Sequence, residues 1–258
     1  MQLLTWIILF SLVGGVLSVV AAALFLLIPG ISRDRLLPHF VSFAIGALLG
    51  AAFLALLPHS LAGADDFHKL GLTVLLGVLG FFLLEKMVLW RHCHHEVCEA
   101  HTPEPHAHSH PAAGTLILIG DGVHNLVDGV LIAAAFMTDI HLGVVTSLAV
   151  AAHEIPQEVG DFAVLLHSGF SKRKAFVFNI LSSLTTLVGG IVAYFSLSSV
   201  QHVLPYVLAV AASSFIYIAV ADLIPGLHKR VEFRATLQQI VLILSGVIVI
   251  YLAHSTLH

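Results

Sequence analysis

Two apolar stretches of this chain carry residues that an apolar stretch rarely contains. Residues 115–137 include Asp121, His124, Asn125 and Asp128; residues 141–166 include His153, Glu154, Gln157, Glu158 and Asp161. Imidazole nitrogens, carboxylates and amide oxygens together form a donor set for borderline or hard divalent ions: zinc, iron(II), manganese, cobalt or cadmium. With no thiolate in either stretch, copper(I) is disfavoured. At 3.6 residues per turn, His124 and Asp128 share a stripe with Asn125, and Asp121 extends it by one turn. In the second stretch His153 pairs with Gln157 and Glu154 with Glu158, each four residues apart, and Asp161 lies two turns beyond Glu154. A closed structural zinc site would want four fixed protein ligands. A site that must also release its ion wants a looser set.

The cost of these residues depends on the elements that hold them. Of the 258 residues, 58% are apolar and only 10% charged, and the mean hydropathy is +0.99. Soluble domains carry roughly 25% charged residues, so this is the composition of an all-α integral membrane protein, and nucleic acid is not an expected partner. Stretches long enough to cross about 30 Å of hydrocarbon fall near 3–28, 40–58, 70–90, 115–137, 141–166, 175–197, 203–226 and 236–254. They predict eight transmembrane helices in a single transmembrane domain over 1–258. The first run lacks a basic leading segment and is too long for the core of a signal peptide. The break at 138–140 is so short that the fourth and fifth helices must form a tight antiparallel hairpin.

Lysine and arginine set the orientation, because cationic residues in short loops stay on the cytoplasmic side. Arg33, Arg35, Lys86, Arg91, Lys172, Arg173, Lys174, Lys229, Arg230 and Arg234 fall on one face, and Lys69 alone on the other, beside Asp65 and Asp66. Both termini are therefore expected outside. At mid-bilayer a carboxylate costs at least about 2.5–3.5 kcal/mol. A purely structural hydrogen-bond network gains nothing from so many acids, which favours a metal site. Pro156 should free the carbonyl of Ala152 and kink its helix, and irregular backbone at this depth is tolerated where it lines a cavity.

The runs Gly120-Asp121-Gly122-Val123-His124-Asn125-Leu126-Val127-Asp128-Gly129 and His153-Glu154-Ile155-Pro156-Gln157-Glu158-Val159-Gly160-Asp161-Phe162 resemble the paired signatures of the ZIP (Zrt/Irt-like) divalent metal transporters, in the subfamily with a HExPHE-type motif on the fifth helix. The likeness extends to Leu57-Pro58-His59-Ser60, Phe82-Leu83-Leu84-Glu85-Lys86 and Tyr217-Ile218-Ala219-Val220-Ala221-Asp222. It implies eight helices with both termini outside, a homodimer, and divalent metal, zinc foremost, moved as substrate into the cytoplasm without an organic cofactor. It also implies a two-metal site: His124, Asp128, His153 and Gln157 at one position, Asn125, Asp128, Glu154 and Gln157 at the other, with Asp128 bridging. Asp121, Glu158 and Asp161 would support these ligands or line the pathway. Gln157 departs from the family pattern, which usually has His there. The resemblance further implies that helices one, four, five and six move against the rest, and Gly14, Gly15, Gly46, Gly50, Gly189 and Gly190 would permit close approach.

The polar segment 91–114 contains His92, Cys93, His94, His95, Cys98, His101, His106, His108 and His110. On the derived orientation it is cytoplasmic, and imidazoles with occasional thiolates suit transient metal capture. Deleting it should change metal uptake as cytosolic metal load is varied; unchanged kinetics would remove any role for it. Two rivals differ in class. His153-Glu154 is similar to the start of a HExxH zinc-protease motif, but Gln157 stands where the second zinc-binding histidine is required, so an enzyme is not expected. A metal-selective channel without alternating access is the other. A compact chain without a recognisable targeting segment points to a prokaryotic inner membrane.

Overall fold

The structure, a computed structural model, describes residues 2–90, 111–228 and 232–255. The described residues form eight continuous helices and no strand: α1 (Gln2–Phe25), α2 (Gly30–Gly63), α3 (Phe67–Trp90), α4 (Pro111–Thr138), α5 (Ile140–His167), α6 (Lys172–Leu197), α7 (Gln201–Leu227) and α8 (Phe233–Ser255). All of them except α5 are long and apolar enough to cross a bilayer. The exception is the helix whose polar stripe drew attention in the sequence, and His153, Gln157 and the acids Glu154, Glu158 and Asp161 together lower its hydropathy. Leucines on α3 such as Leu72, Leu75, Leu76 and Leu79 are exposed, as expected of a helix whose outer face meets lipid rather than water.

Helix ends follow local chemistry. Asp139 alone separates α4 from α5, in extended backbone, and its Oδ1 accepts from the amides of His141 (2.8 Å) and Leu142 (3.0 Å). This is the predicted hairpin, closed by an N-cap. Asp139→Ala should therefore cost about 0.5–2 kcal/mol, read as a lower denaturation midpoint of the protein in detergent. At the far end of α5, Gly169 takes φ 88°. There the Phe170 amide donates to Leu165 and the Gly169 amide to Leu166, a Schellman closure that needs a residue without Cβ. Ser171 then caps α6 by accepting from the Lys174 amide.

Prolines leave a consistent mark in two helices. The segments Ala51–Leu56 of α2 and Ile218–Leu223 of α7 widen into π turns, each ending two residues before a proline, Pro58 and Pro225. A proline has no N–H to give and its ring crowds the carbonyl four residues back; the wider turn relieves both. A third π segment, Val13–Leu17, contains Gly14 and Gly15. Around Pro156 the helix Ile140–His167 is instead continuous. Helix α2 also begins about ten residues before the apolar run that predicts it, because Arg33, Asp34, Arg35 and Pro38 are helical without being apolar.

Packing divides the helices into two groups, with α5 and, less extensively, α4 touching both. Helix α4 lies extensively against α6, and α2 against α8 and α7; the pairs α4–α6 and α2–α8 share one device. Each pair is built on reciprocal glycines. Gly129 of α4 faces the Thr186 carbonyl while Gly189 of α6 faces the Leu126 carbonyl; Gly46 of α2 faces the Ile243 carbonyl while Gly246 of α8 faces that of Phe43. A Cβ at any of the four would overlap backbone. Hydroxyls reinforce the first pair: Ser182 donates to the Leu118 carbonyl (3.2 Å) and Thr185 to that of Gly122 (2.7 Å). Helix α1 packs on α6 and α5, and α3 on α7, while α5 also meets α2 and α8.

Candidate metal centre

Because α4 and α5 form a hairpin, their polar stripes face each other across a short gap. His124 Nε2 lies 3.7 Å from Asp128 Oδ2 and 3.4 Å from Glu154 Oε1. His153 Nε2 lies 3.4 Å from Asp128 Oδ2 and 3.7 Å from Glu154 Oε1. The two imidazole nitrogens are 3.3 Å apart. Bonds of about 2.0–2.2 Å to a tetrahedral zinc-like ion imply ligand-to-ligand edges of about 3.3–3.6 Å. Five edges of this quartet are at or close to that length, so one ion could bind all four atoms with little movement.

The surroundings prepare the donors. His153 Nδ1 lies 3.1 Å from the Ala149 carbonyl. A carbonyl can only accept, so Nδ1 carries the hydrogen and Nε2 keeps its lone pair toward the other ligands, the usual arrangement behind a metal-binding imidazole. Asp128, His153 and Glu154 are fully buried or nearly so, while the His124 side chain is 18% exposed. Neither oxygen of Asp128 and neither of Glu154 accepts a hydrogen bond. Buried carboxylates without donors are expensive, and a bound cation would offset that cost.

Other predicted site residues sit elsewhere. The Asn125 amide donates to Asp121 Oδ1 (2.9 Å) and to the Asp121 carbonyl (3.2 Å), while its oxygen accepts from Thr186 (2.7 Å). Gln157 Nε2 donates to Asp121 Oδ1 at 3.5 Å. Glu158 is fully buried and converges with Asp121 and Glu154, a carboxylate oxygen of each lying within 4.8 Å of the others. Asp161 lines a cavity of about 350 Å³ with Gln157, Asp121, His124, Ile117, Glu85, Tyr217 and Asp222. Tyr217 donates to Glu85 Oε2 at 2.5 Å, a tie between α7 and α3. Tyr217→Phe should lower thermal stability by about 1.5–3 kcal/mol, the worth of a hydrogen bond to a charged group, as measured by denaturation in detergent.

Of the quartet, His124 lines this cavity. It is lined by the half of α4 before His124, the half of α5 after Gln157, and the ends of α3 and α7, the side on which Lys86, Lys172, Arg173 and Lys174 lie. Beyond His153 the helices close on a dense core of Ile45, Leu48, Leu131, Phe136, Val145, Val150 and Phe215. The predicted histidine-rich segment, with His92, Cys93, His94, His95, Cys98, His101, His106, His108 and His110, lies outside the described residues.

Sequence reasoning passed over Glu85, Tyr217, Asp222 and Thr186, which line the cavity or hold Asn125. Glu85 and Asp222 stand near helix ends, where charges usually mean only an interface with water.

These features define a polytopic helical membrane protein with a buried cluster of histidines and carboxylates beside a cavity. Among known proteins, a match to the ZIP Zinc transporter family covers residues 2–115 and 90–254, and the chain belongs to that family. It is 33% identical over 230 residues to the zinc transporter ZIP13 of Pongo abelii, covering 84% of this chain and 66% of that protein. The mouse (Mus musculus) ZIP13 is 32% identical over 252 residues, covering 84% and 69%. The yeast (Saccharomyces cerevisiae) zinc transporter YKE4 is 31% identical over 257 residues, covering 86% and 73%. The chain thus spans about two thirds of the length of the first of these relatives. They are named as transporters, not hydrolases, which sets the zinc-protease reading aside, and they come from animals and yeast, whereas compactness alone pointed to a prokaryotic inner membrane.

Proposed function

We propose that this chain moves divalent transition-metal ions, zinc foremost, across a bilayer into the cytoplasm, binding them at His124, Asp128, His153 and Glu154. The observation that carries the reading is the quartet of nitrogen and oxygen donors with five edges of 3.3–3.7 Å, whose His124 lines a cavity on the side of Lys86 and Lys172. On the charge-derived orientation, with eight spans and both termini outside, that side is the cytoplasm. The ion would leave past Asp121, Asp161, Glu85 and Asp222, all carboxylates.

A cavity on one side and a packed core on the other favour a carrier over an open channel. The packed core beyond His153 has to part to admit an ion from outside, and the helix groups supply the means: α1, α4, α5 and α6 contact one another closely, and α5 meets α2 and α8 across the boundary. Rocking of the first group against the second would expose the quartet to each face in turn. Gln157 is engaged with Asp121, so in this conformation it contributes an amide contact beside the site. The homodimer implied by the family resemblance is part of the same proposal.

Reconstituting the protein in liposomes that enclose a zinc-sensitive dye should give a zinc-dependent signal, absent from protein-free liposomes and saturating with outside zinc. No signal above the protein-free rate would end the reading. Orientation is tested separately by labelling Cys93 with a membrane-impermeant thiol reagent, which should succeed only from the cytoplasmic side.

A further inference from the structure

Next to the quartet a second set of oxygens converges without nitrogen. Asp121 on α4 and Glu154 and Glu158 on α5 each offer a carboxylate oxygen within 4.8 Å of the others, and all three residues are at most 5% exposed. Asp121 is held asymmetrically. Its Oδ1 accepts from the amides of Asn125 (2.9 Å) and Gln157 (3.5 Å), and Thr186 of α6 fixes Asn125 in turn (2.7 Å). That leaves Asp121 Oδ2 buried with no hydrogen-bond partner, and both oxygens of Glu158 are in the same state.

We propose that Asp121, Glu154 and Glu158 form a second divalent-cation position, all oxygen, that shares Glu154 with the quartet and suits a hard ion such as manganese(II). Carboxylates and carbonyls select hard cations where imidazole selects zinc-like ones, so the two positions differ in preference. This position differs in its ligands from the one implied by family resemblance, which uses Asn125 and Asp128. The proposal deepens the transport reading and rests on it for the role of the quartet.

The test is manganese(II) binding to the full chain in detergent, with free ion read from its paramagnetic resonance. The wild type and His124→Ala should take up manganese alike. Glu158→Gln and Asp121→Asn should weaken it tenfold or more, while Glu158→Gln still binds zinc. Glu158→Asp, which keeps the charge and shortens the reach, should fall between, and an unchanged thermal midpoint shows that each variant is folded. Manganese binding that is lost in His124→Ala, or unchanged in both Glu158→Gln and Asp121→Asn, would overturn the second position. A failure of zinc influx in liposomes, with this binding pattern intact, would count against the transport reading alone.

Discussion

Glu154→Gln should depress zinc influx as strongly as the loss of any other ligand in the centre. Glu154 Oε1 stands 3.4 Å from His124 Nε2 and 3.7 Å from His153 Nε2, and the same side chain belongs to the oxygen group with Asp121 and Glu158. Replacing it with an amide keeps the shape and removes the charge. Loss of a residue that merely supports a metal ligand costs about 10–100-fold in affinity; loss of a ligand should cost at least that. The check is a zinc titration of the purified variant alongside influx measured at several outside concentrations. Zinc affinity and influx at wild-type level would mean that Glu154 is not a ligand.

The second large effect is expected far from any charge. Gly129→Ala and Gly189→Ala each put a Cβ into the backbone of the facing helix, at the Thr186 and Leu126 carbonyls. Backbone cannot step aside as a side chain can, so the cost should reach or exceed the ~1–3 kcal/mol of an overpacked core. The helices must separate, and the Thr186–Asn125–Asp121 chain that crosses between them would be pulled apart with them. Gly80→Ala is the control, because a Cβ there meets nothing within 4 Å, and alanine is the better helix former by about 1 kcal/mol. Thermal unfolding in detergent should show a large drop for Gly129→Ala and Gly189→Ala, and none for Gly80→Ala. Equal midpoints for all three would show that α4 and α6 are not in such close contact.

Some of this was legible in the residues and some was not, for physical reasons. The pairing of α4 with α5 followed from one short break, since Asp139 leaves no room for anything but a hairpin. The polar stripes followed from periodicity alone. What periodicity cannot give is the rotation of one helix against another, and this decides which carboxylate meets which imidazole. Glu154 was expected beside Asn125, yet its oxygen lies with the two histidines. Asn125 was expected as a ligand, and nothing in the run 120–129 showed that its oxygen accepts from Thr186, sixty-one residues away. The early start of α2 was hidden for another reason: Arg33, Asp34 and Arg35 are helical where the helix leaves the hydrocarbon, and a search for apolar residues stops before them. Helix α5 shows the converse, a membrane-protein helix recognised by its polar residues because its hydropathy falls short.

The most direct test of the central claim is zinc influx into liposomes carrying His124→Ala or Asp128→Ala, set beside Asp139→Ala. All three substitutions lie on the α4–α5 hairpin, but only the first two remove atoms that converge on the proposed ion. The account predicts influx at the protein-free rate for His124→Ala and Asp128→Ala, and clear zinc-dependent influx for folded Asp139→Ala. Wild-type influx through Asp128→Ala would contradict it.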